Sequence, residues 1–272
     1  MDGKPQPLPP SLEPLLAGAT LEPVPGGESG DEITRVVSPE GEVGYLKAAS
    51  GWRRAELRRE QEVLRWLGGR AGAPRVLHFE ESAGRGWLFL SAVPGRAAAA
   101  LVGEVGAEPL LRALAQALRR LHALPVADCP FQRGVEYMVH EAWRRARAGL
   151  VDLDAFEPRH RGWSADDLLR ELEAKAPAEE DLVFVHGDYC LPNILLSGPG
   201  PGGPRRSALK VTGLVDWGRA GIADRYQDLA LLLRSFDLNT GSRLPALLAR
   251  EYGLTSLDEA KLSFYLLLDE FF

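Results

Sequence analysis

The order of polar and apolar positions changes character near residue 94. Before it, alternation dominates. Residues 33–37 (Ile33-Thr34-Arg35-Val36-Val37) and 43–47 (Val43-Gly44-Tyr45-Leu46-Lys47) predict two strands joined by the turn residues Pro39, Glu40 and Gly41. A glycine-rich turn at 26–30 precedes them. Leu57, Leu64 and Leu67 fall on one stripe and predict a helix over 55–67, with short strands following around 75–79 and 87–91. Pro94-Gly95 then breaks the pattern, which sets the expected boundary between a lobe over residues 1–93 and a lobe over 94–272. Beyond it, Leu110, Leu114, Leu118 and Leu121 recur at helical spacing and predict an amphipathic helix over 108–123. Residues 135–148 and 165–175 also read as helices, and the apolar run 182–185 as a buried strand. Further strands are expected over 194–196 and 211–215, and helical pattern returns from Asp224 to the last residue. A strand-rich first lobe and a mostly helical second one make the expected class α+β.

Composition narrows the partners. The 272-residue chain is 45% hydrophobic and 26% charged, too apolar for a disordered polymer. Lys+Arg 32 against Asp+Glu 38 gives a net charge of -6, which argues against nucleic acid and suits a cationic partner. Cys129 and Cys190 are the only cysteines, so neither a disulfide framework nor a Cys-rich zinc site is expected. The first ten residues, MDGKPQPLPP, lack the apolar core of a signal peptide. The longest apolar runs fall far short of the ~20 residues that a membrane span needs. The expectation is a cytoplasmic protein without a membrane partner, monomeric or weakly dimeric.

Candidate chemistry sits at two strand ends. Asp188 follows the 182–185 strand by three residues, and Asp216 follows Val215 directly. Ligands collect at the carboxyl ends of such strands. His186, Asp188 and Asn193 have the spacing HxDxxxxN of a kinase catalytic loop, and Asp216-Trp217-Gly218 stands where such enzymes carry a metal-binding Asp. Phosphoryl transfer explains the set, since one Asp and one Asn can hold divalent ions while the other Asp orients the attacking hydroxyl. In the first lobe, Glu60 lies in line with the apolar stripe of its helix and needs a partner. Lys47, at the end of the preceding strand, is the natural one. His78, His122 and His140 stand singly and read as structural. His186 reads as support for its loop, and Cys190 as packing.

The run 186–193, His-Gly-Asp-Tyr-Cys-Leu-Pro-Asn, resembles the HGDxxxxN signature of the aminoglycoside phosphotransferases. Residues 215–228, VDWGRAGIADRYQD, resemble their IDxGRxGxADRYQD segment, and the ending LLDEFF is similar to that of the aminoglycoside 3'-phosphotransferases in particular. The resemblance runs from about residue 27 to the last residue. It implies a two-lobed protein-kinase-like fold, ATP, Mg²⁺ and transfer to the 3'-hydroxyl of an aminoglycoside. By the same resemblance Asp188 is the catalytic residue, and Asn193 and Asp216 hold metal. Ser29, Lys47, Glu60, Ser91 and Val93 serve the nucleotide. Asp154, Glu157, Arg219, Arg234, Asp269, Glu270 and the carboxylate of Phe272 serve the drug. The chain departs from its relatives at Pro158 and Arg159, where further acids are common, and at Ser235 after Arg234. A kinase for another small amino alcohol or amino sugar, or a catalytically dead binding protein of the same fold, are the alternatives.

Overall fold

Strand alternation explains the first of two units. The chain is seen in a computed structural model that describes residues 8–24, 32–198 and 209–272. It divides into compact units Met1–Val93 and Pro94–Phe272. The glycine turn at 26–30, with Ser29, lies outside the described residues. In the first unit β1 (Thr20–Pro23), β2 (Glu32–Val37), β3 (Val43–Ser50), β4 (Val76–Ser82) and β5 (Arg85–Ser91) form an antiparallel sheet of order β1-β2-β3-β5-β4.

The period of two sorts its side chains. Leu46 and Ala48 of β3 join Val36, Trp87 and Phe89 in one cluster, which Leu12 and Leu16 complete. Lys47, between Leu46 and Ala48, therefore points to the opposite face. That face carries α1 (Arg53–Leu67), which buries Leu57, Glu60, Val63, Leu64 and Leu67. Strand β1 is absent from the sequence pattern because all four of its residues are exposed. Only pairing with β2 defines it.

The second unit contains β6 (Arg96–Ala97), α2 (Ala107–His122), α3 (Val135–Arg147), α4 (Ala165–Ala174), β7 (Leu182–Val185), β8 (Ile194–Ser197), β9 (Lys210–Leu214), β10 (Gly221–Asp224), α5 (Tyr226–Thr240), α6 (Pro245–Tyr252) and α7 (Glu259–Asp269). Two small antiparallel sheets, β10-β7 and β6-β8-β9, lie among the helices. Helix α2 buries the predicted leucine stripe. Helix α5 is buried on almost every side between Tyr226 and Phe236, as befits a central helix. Asp224, expected to open a helix, instead ends β10. Its buried carboxylate accepts from the N–H groups of Asp181 and Tyr226 and from Lys261 Nζ. Among the described residues, no helix is long and apolar enough to cross a membrane.

Helix α7 carries the C-terminal tail, and Asp258 caps it by accepting from Ala260 and Lys261 N–H groups at 2.9 and 3.1 Å. Asp258→Ala should lower unfolding stability by about 1 kcal/mol. Urea denaturation checks this as a lower midpoint with an unchanged m-value, and an unshifted midpoint would mean the cap is idle.

Candidate active site

Strand β7 delivers the chain into the 186–193 loop, and a carboxylate of α5 fixes where that loop begins. Asp228 is fully buried. Its Oδ2 accepts from His186 N–H at 2.7 Å and its Oδ1 from Gly187 N–H at 2.8 Å. His122 Nε2, in the last turn of α2, stands 3.0 Å from Oδ2, while its Nδ1 is 2.7 Å from the Tyr252 hydroxyl of α6. A carboxylate buried without partners would cost several kcal/mol, so these contacts are the condition of its burial. Spacing alone gives Asp228 no role. The available signal is the polar pair Gln227-Asp228 just before the apolar run 229–233, at the end of the 215–228 segment that carries the resemblance. His122 is structural, as expected, and it lies beneath the loop.

Gly187 has φ +81°, and a Cβ there would come within 2.2 Å of the Arg219 carbonyl oxygen, so only glycine fits. The His186 ring places Nε2 2.9 Å from the Val215 carbonyl and accepts the Asp188 N–H at Nδ1, 3.3 Å away. These contacts put the ring proton on Nε2 and leave Nδ1 an acceptor. His186 thus supports the loop. Asn193 Nδ2 donates to the Asp188 carbonyl at 3.1 Å and to its Oδ2 at 2.8 Å. Ser235, one of the sequence departures, accepts the Leu191 N–H at 3.0 Å. Helix α5 therefore grips the loop through Asp228, through Gln227 Nε2, which donates to the Gly187 carbonyl at 3.5 Å, and through Ser235.

Asp216 lies just past β9 at φ 66°, ψ 61°, in the left-handed region. Such a backbone costs of order 1–3 kcal/mol and, among residues other than glycine, is best tolerated by Asp or Asn. The Val215 N–H donates to the Asn193 carbonyl at 3.0 Å, which joins the two strand ends that carry Asn193 and Asp216. Because the amide nitrogen of Asn193 faces Asp188, its oxygen is the end left for a cation. With the Asp216 carboxylate it makes two hard oxygen donors. Among the described residues no cluster of three or more His, Cys, Asp or Glu forms a protein-only cage. Two protein oxygens completed by phosphate and water suit Mg²⁺, which seldom occupies all-protein cages. The donor set fits.

In the first unit Lys47 Nζ donates to both Glu60 oxygens at 2.8 Å each, with the residues only 7% and 4% exposed. A surface pair is thereby excluded. Buried pairs add little net stability, so this one is better understood as holding the ammonium in a fixed place. Ser91 ends β5, with its N–H donating to the Arg75 carbonyl and its Oγ accepting the Arg75 N–H. Val93 is the last residue of that unit.

At the C-terminus Phe271 is buried and pulls its polar neighbours inward. Asp269 pairs with Arg219 at 3.1 Å and with Arg234. Burial works against the Arg234 charge, but Asp269 more than offsets it and holds the guanidinium above its ordinary pKa. Arg219 also donates to the main-chain carboxylate oxygen of Phe272 and Arg145 to the Phe271 carbonyl, each at 2.5 Å. Glu270 Oε1 lies 2.6 Å from His160 Nδ1, and Oε2 accepts the Glu157 N–H at 3.1 Å. Asp269 and Glu270 are thus both engaged within the protein. Glu157 pairs with Arg159 at 2.9 Å, and Asp154 lies exposed nearby. Gly187, Arg219, Asp269 and Phe272 line one cavity, which puts the tail beside the loop.

Two expectations follow from this geometry. Gly187→Ala should cost at least about 1–2 kcal/mol from the left-handed backbone alone, read as a lowered urea midpoint. Burial, then the charges of Asp188 and Asp216, push the Cys190 thiol well above its ordinary pKa. Iodoacetamide at pH 8 should therefore leave the Cys190 peptide unmodified by mass spectrometry, and rapid labelling would contradict that.

The sequence profile of the phosphotransferase enzyme family matches residues 20–265. An aminoglycoside 3'-phosphotransferase of Niallia circulans is 36% identical, over 97% of this chain and 97% of its own. The crystal structure of an aminoglycoside-3'-phosphotransferase of type VIII matches with a TM-score of 0.85 at 38% identity, over 96% of this chain and 97% of that one. The aminoglycoside phosphotransferase APH(3'')-Id of Streptomyces rimosus, solved in complex with ADP and streptomycin, matches with a TM-score of 0.77 at 30% identity, over 96% and 95%. The fold is the two-lobed, kinase-like α+β fold of these enzymes, and the chain belongs to the phosphotransferase enzyme family, among its aminoglycoside phosphotransferases.

Proposed function

We propose that the protein is a resistance kinase that moves the γ-phosphoryl group of ATP to the 3'-hydroxyl of aminoglycosides of the kanamycin and neomycin class. The observation that carries the reading is the Asp188 carboxylate, held by Asn193 Nδ2 at 2.8 Å in a loop that Asp228 anchors. With Oδ2 so held, Asp188 orients the acceptor hydroxyl through its remaining lone pairs. As the new oxygen–phosphorus bond forms and the bond to the β-phosphate oxygen breaks, the carboxylate takes the hydroxyl proton and ADP departs. Positioning matters more than early proton abstraction in so loose a transition state. Asn193 and Asp216 would hold Mg²⁺, which supplies neutralisation of the phosphate charge when bound. Lys47, fixed by Glu60, would bind the nucleotide phosphates, with Ser29, Ser91 and Val93 as the other nucleotide-side residues.

The acceptor is a polycation, which suits the acids Asp154, Glu157, Asp269 and Glu270 and the carboxylate of Phe272. Arg219 and Arg234 would position Asp269 for it. ATP supply places the reaction in the cytoplasm, and no partner beyond the two small molecules is needed. A 3''-transferring activity is the second reading, favoured by the likeness to the Streptomyces rimosus enzyme.

A substrate panel separates the readings. Kanamycin and neomycin should be phosphorylated, and tobramycin, which lacks the 3'-hydroxyl, should not be modified there. Turnover of streptomycin alone would favour the second reading, and turnover of choline or homoserine alone would overturn both. Asp188→Ala should lower kcat by roughly 100-fold or more with little change in nucleotide affinity. Asp216→Ala should abolish turnover and weaken metal-dependent nucleotide binding. Calorimetric titration of Mg·ATP distinguishes the two variants.

A further inference from the structure

The acidic end of the second unit already carries its own counter-charges. Asp269 is held by Arg219 and Arg234, and Glu157 by Arg159. The Arg159–Glu157 pair is partly exposed, with side chains 46% and 27% accessible, so solvent screening leaves it weak. The His160–Glu270 contact differs. Its side chains are 7% and 3% exposed, and the second Glu270 oxygen is taken by the Glu157 N–H. His160 is itself fixed. It closes the turn Pro158–His160, with its N–H donating to the Glu157 carbonyl at 2.8 Å and its carbonyl accepting the Trp163 N–H at 3.0 Å. Its ring rests 4.8 Å from that of Trp163.

The clasp is close to the chemistry. Asp269 and Phe272, on either side of the clasped segment, line the cavity shared with Gly187 of the 186–193 loop. Each Glu270 oxygen already faces a donor and the side chain is almost fully enclosed, so an ammonium group gains access only when a present partner moves aside. Given the polycationic acceptor proposed above, the imidazole N–H stands where an acceptor ammonium would bind.

We propose that His160 is a specificity-determining residue, an internal surrogate donor that occupies Glu270 and that a polycationic acceptor must displace. Acceptors with an ammonium group able to replace it bind, and those without one leave the clasp shut. Affinity for the acceptor is thereby lowered, while the nucleotide side is untouched.

Steady-state kinetics with kanamycin and ATP test this in three variants. His160→Ala removes the clasp, and His160→Phe removes the donor while keeping a ring against Trp163 should the Ala variant fail to fold. His160→Asn keeps an N–H near the position of Nδ1. The Ala or Phe variant should lower the kanamycin KM by about threefold or more, the scale of a lost competing charge-assisted hydrogen bond. The ATP KM and kcat should stay within about twofold, and the Asn variant should behave as wild type. An unchanged or higher kanamycin KM in a folded Ala or Phe variant, or an Asn variant that behaves like them, overturns the proposal. If the wild type turns over no aminoglycoside, the substrate reading fails by itself. The clasp is then judged by hydrogen exchange at the Glu157 amide, which should be faster in the Ala or Phe variant than in wild type. Equal rates would overturn it.

Discussion

Asp228 sits at zero exposure in the most enclosed helix of the protein and accepts from the N–H groups of His186 and Gly187. Everything proposed for the loop depends on that contact. It fixes the chain as it leaves β7, forces Gly187 into a left-handed backbone against Arg219, and thereby sets the direction in which Asp188 emerges. His122 and Tyr252 extend the support into α2 and α6. A buried carboxylate gains little net stability from such partners, yet losing one of them would leave a charge stranded. The site is therefore costly to perturb.

The same device recurs. Lys47 and Glu60 bury a charge pair between β3 and α1, and Asp224 buries a carboxylate against Lys261 and two backbone N–H groups. Asp269 bridges two arginines at the tail. In each case the partners of the polar group come from different elements. Hydrophobic burial holds those elements together, and the enclosed charges select one geometry for the exposed groups beside them.

What the sequence reveals follows from the range of the forces involved. The period of two already separates Lys47 from Leu46 and Ala48, and the helical period puts Glu60 on the buried stripe, so their pairing is legible without coordinates. The longer helices and the apolar strand at 182–185 are legible for the same reason, since local period marks a face. Strands β1 and β10 are not, because four exposed residues or the short run Gly221–Asp224 carry no period of their own and exist by pairing. The role of Asp228 rests on atoms about 40 residues away in the chain, and the partner of Glu270 lies 110 residues from it. No local pattern encodes such contacts. For the acids of the tail, sequence shows the charge but not the arginines and histidine that packing beside the buried Phe271 brings to them.

Asp228→Asn is the sharpest probe of the loop's anchorage. The amide keeps the volume and one acceptor but faces the second backbone N–H with a donor. If Asp228 sets the loop, a variant that stays folded by circular dichroism should lose at least about tenfold in kcat, with KM values for nucleotide and acceptor within about threefold. A folded Asp228→Asn enzyme with wild-type kcat would contradict the account at its root.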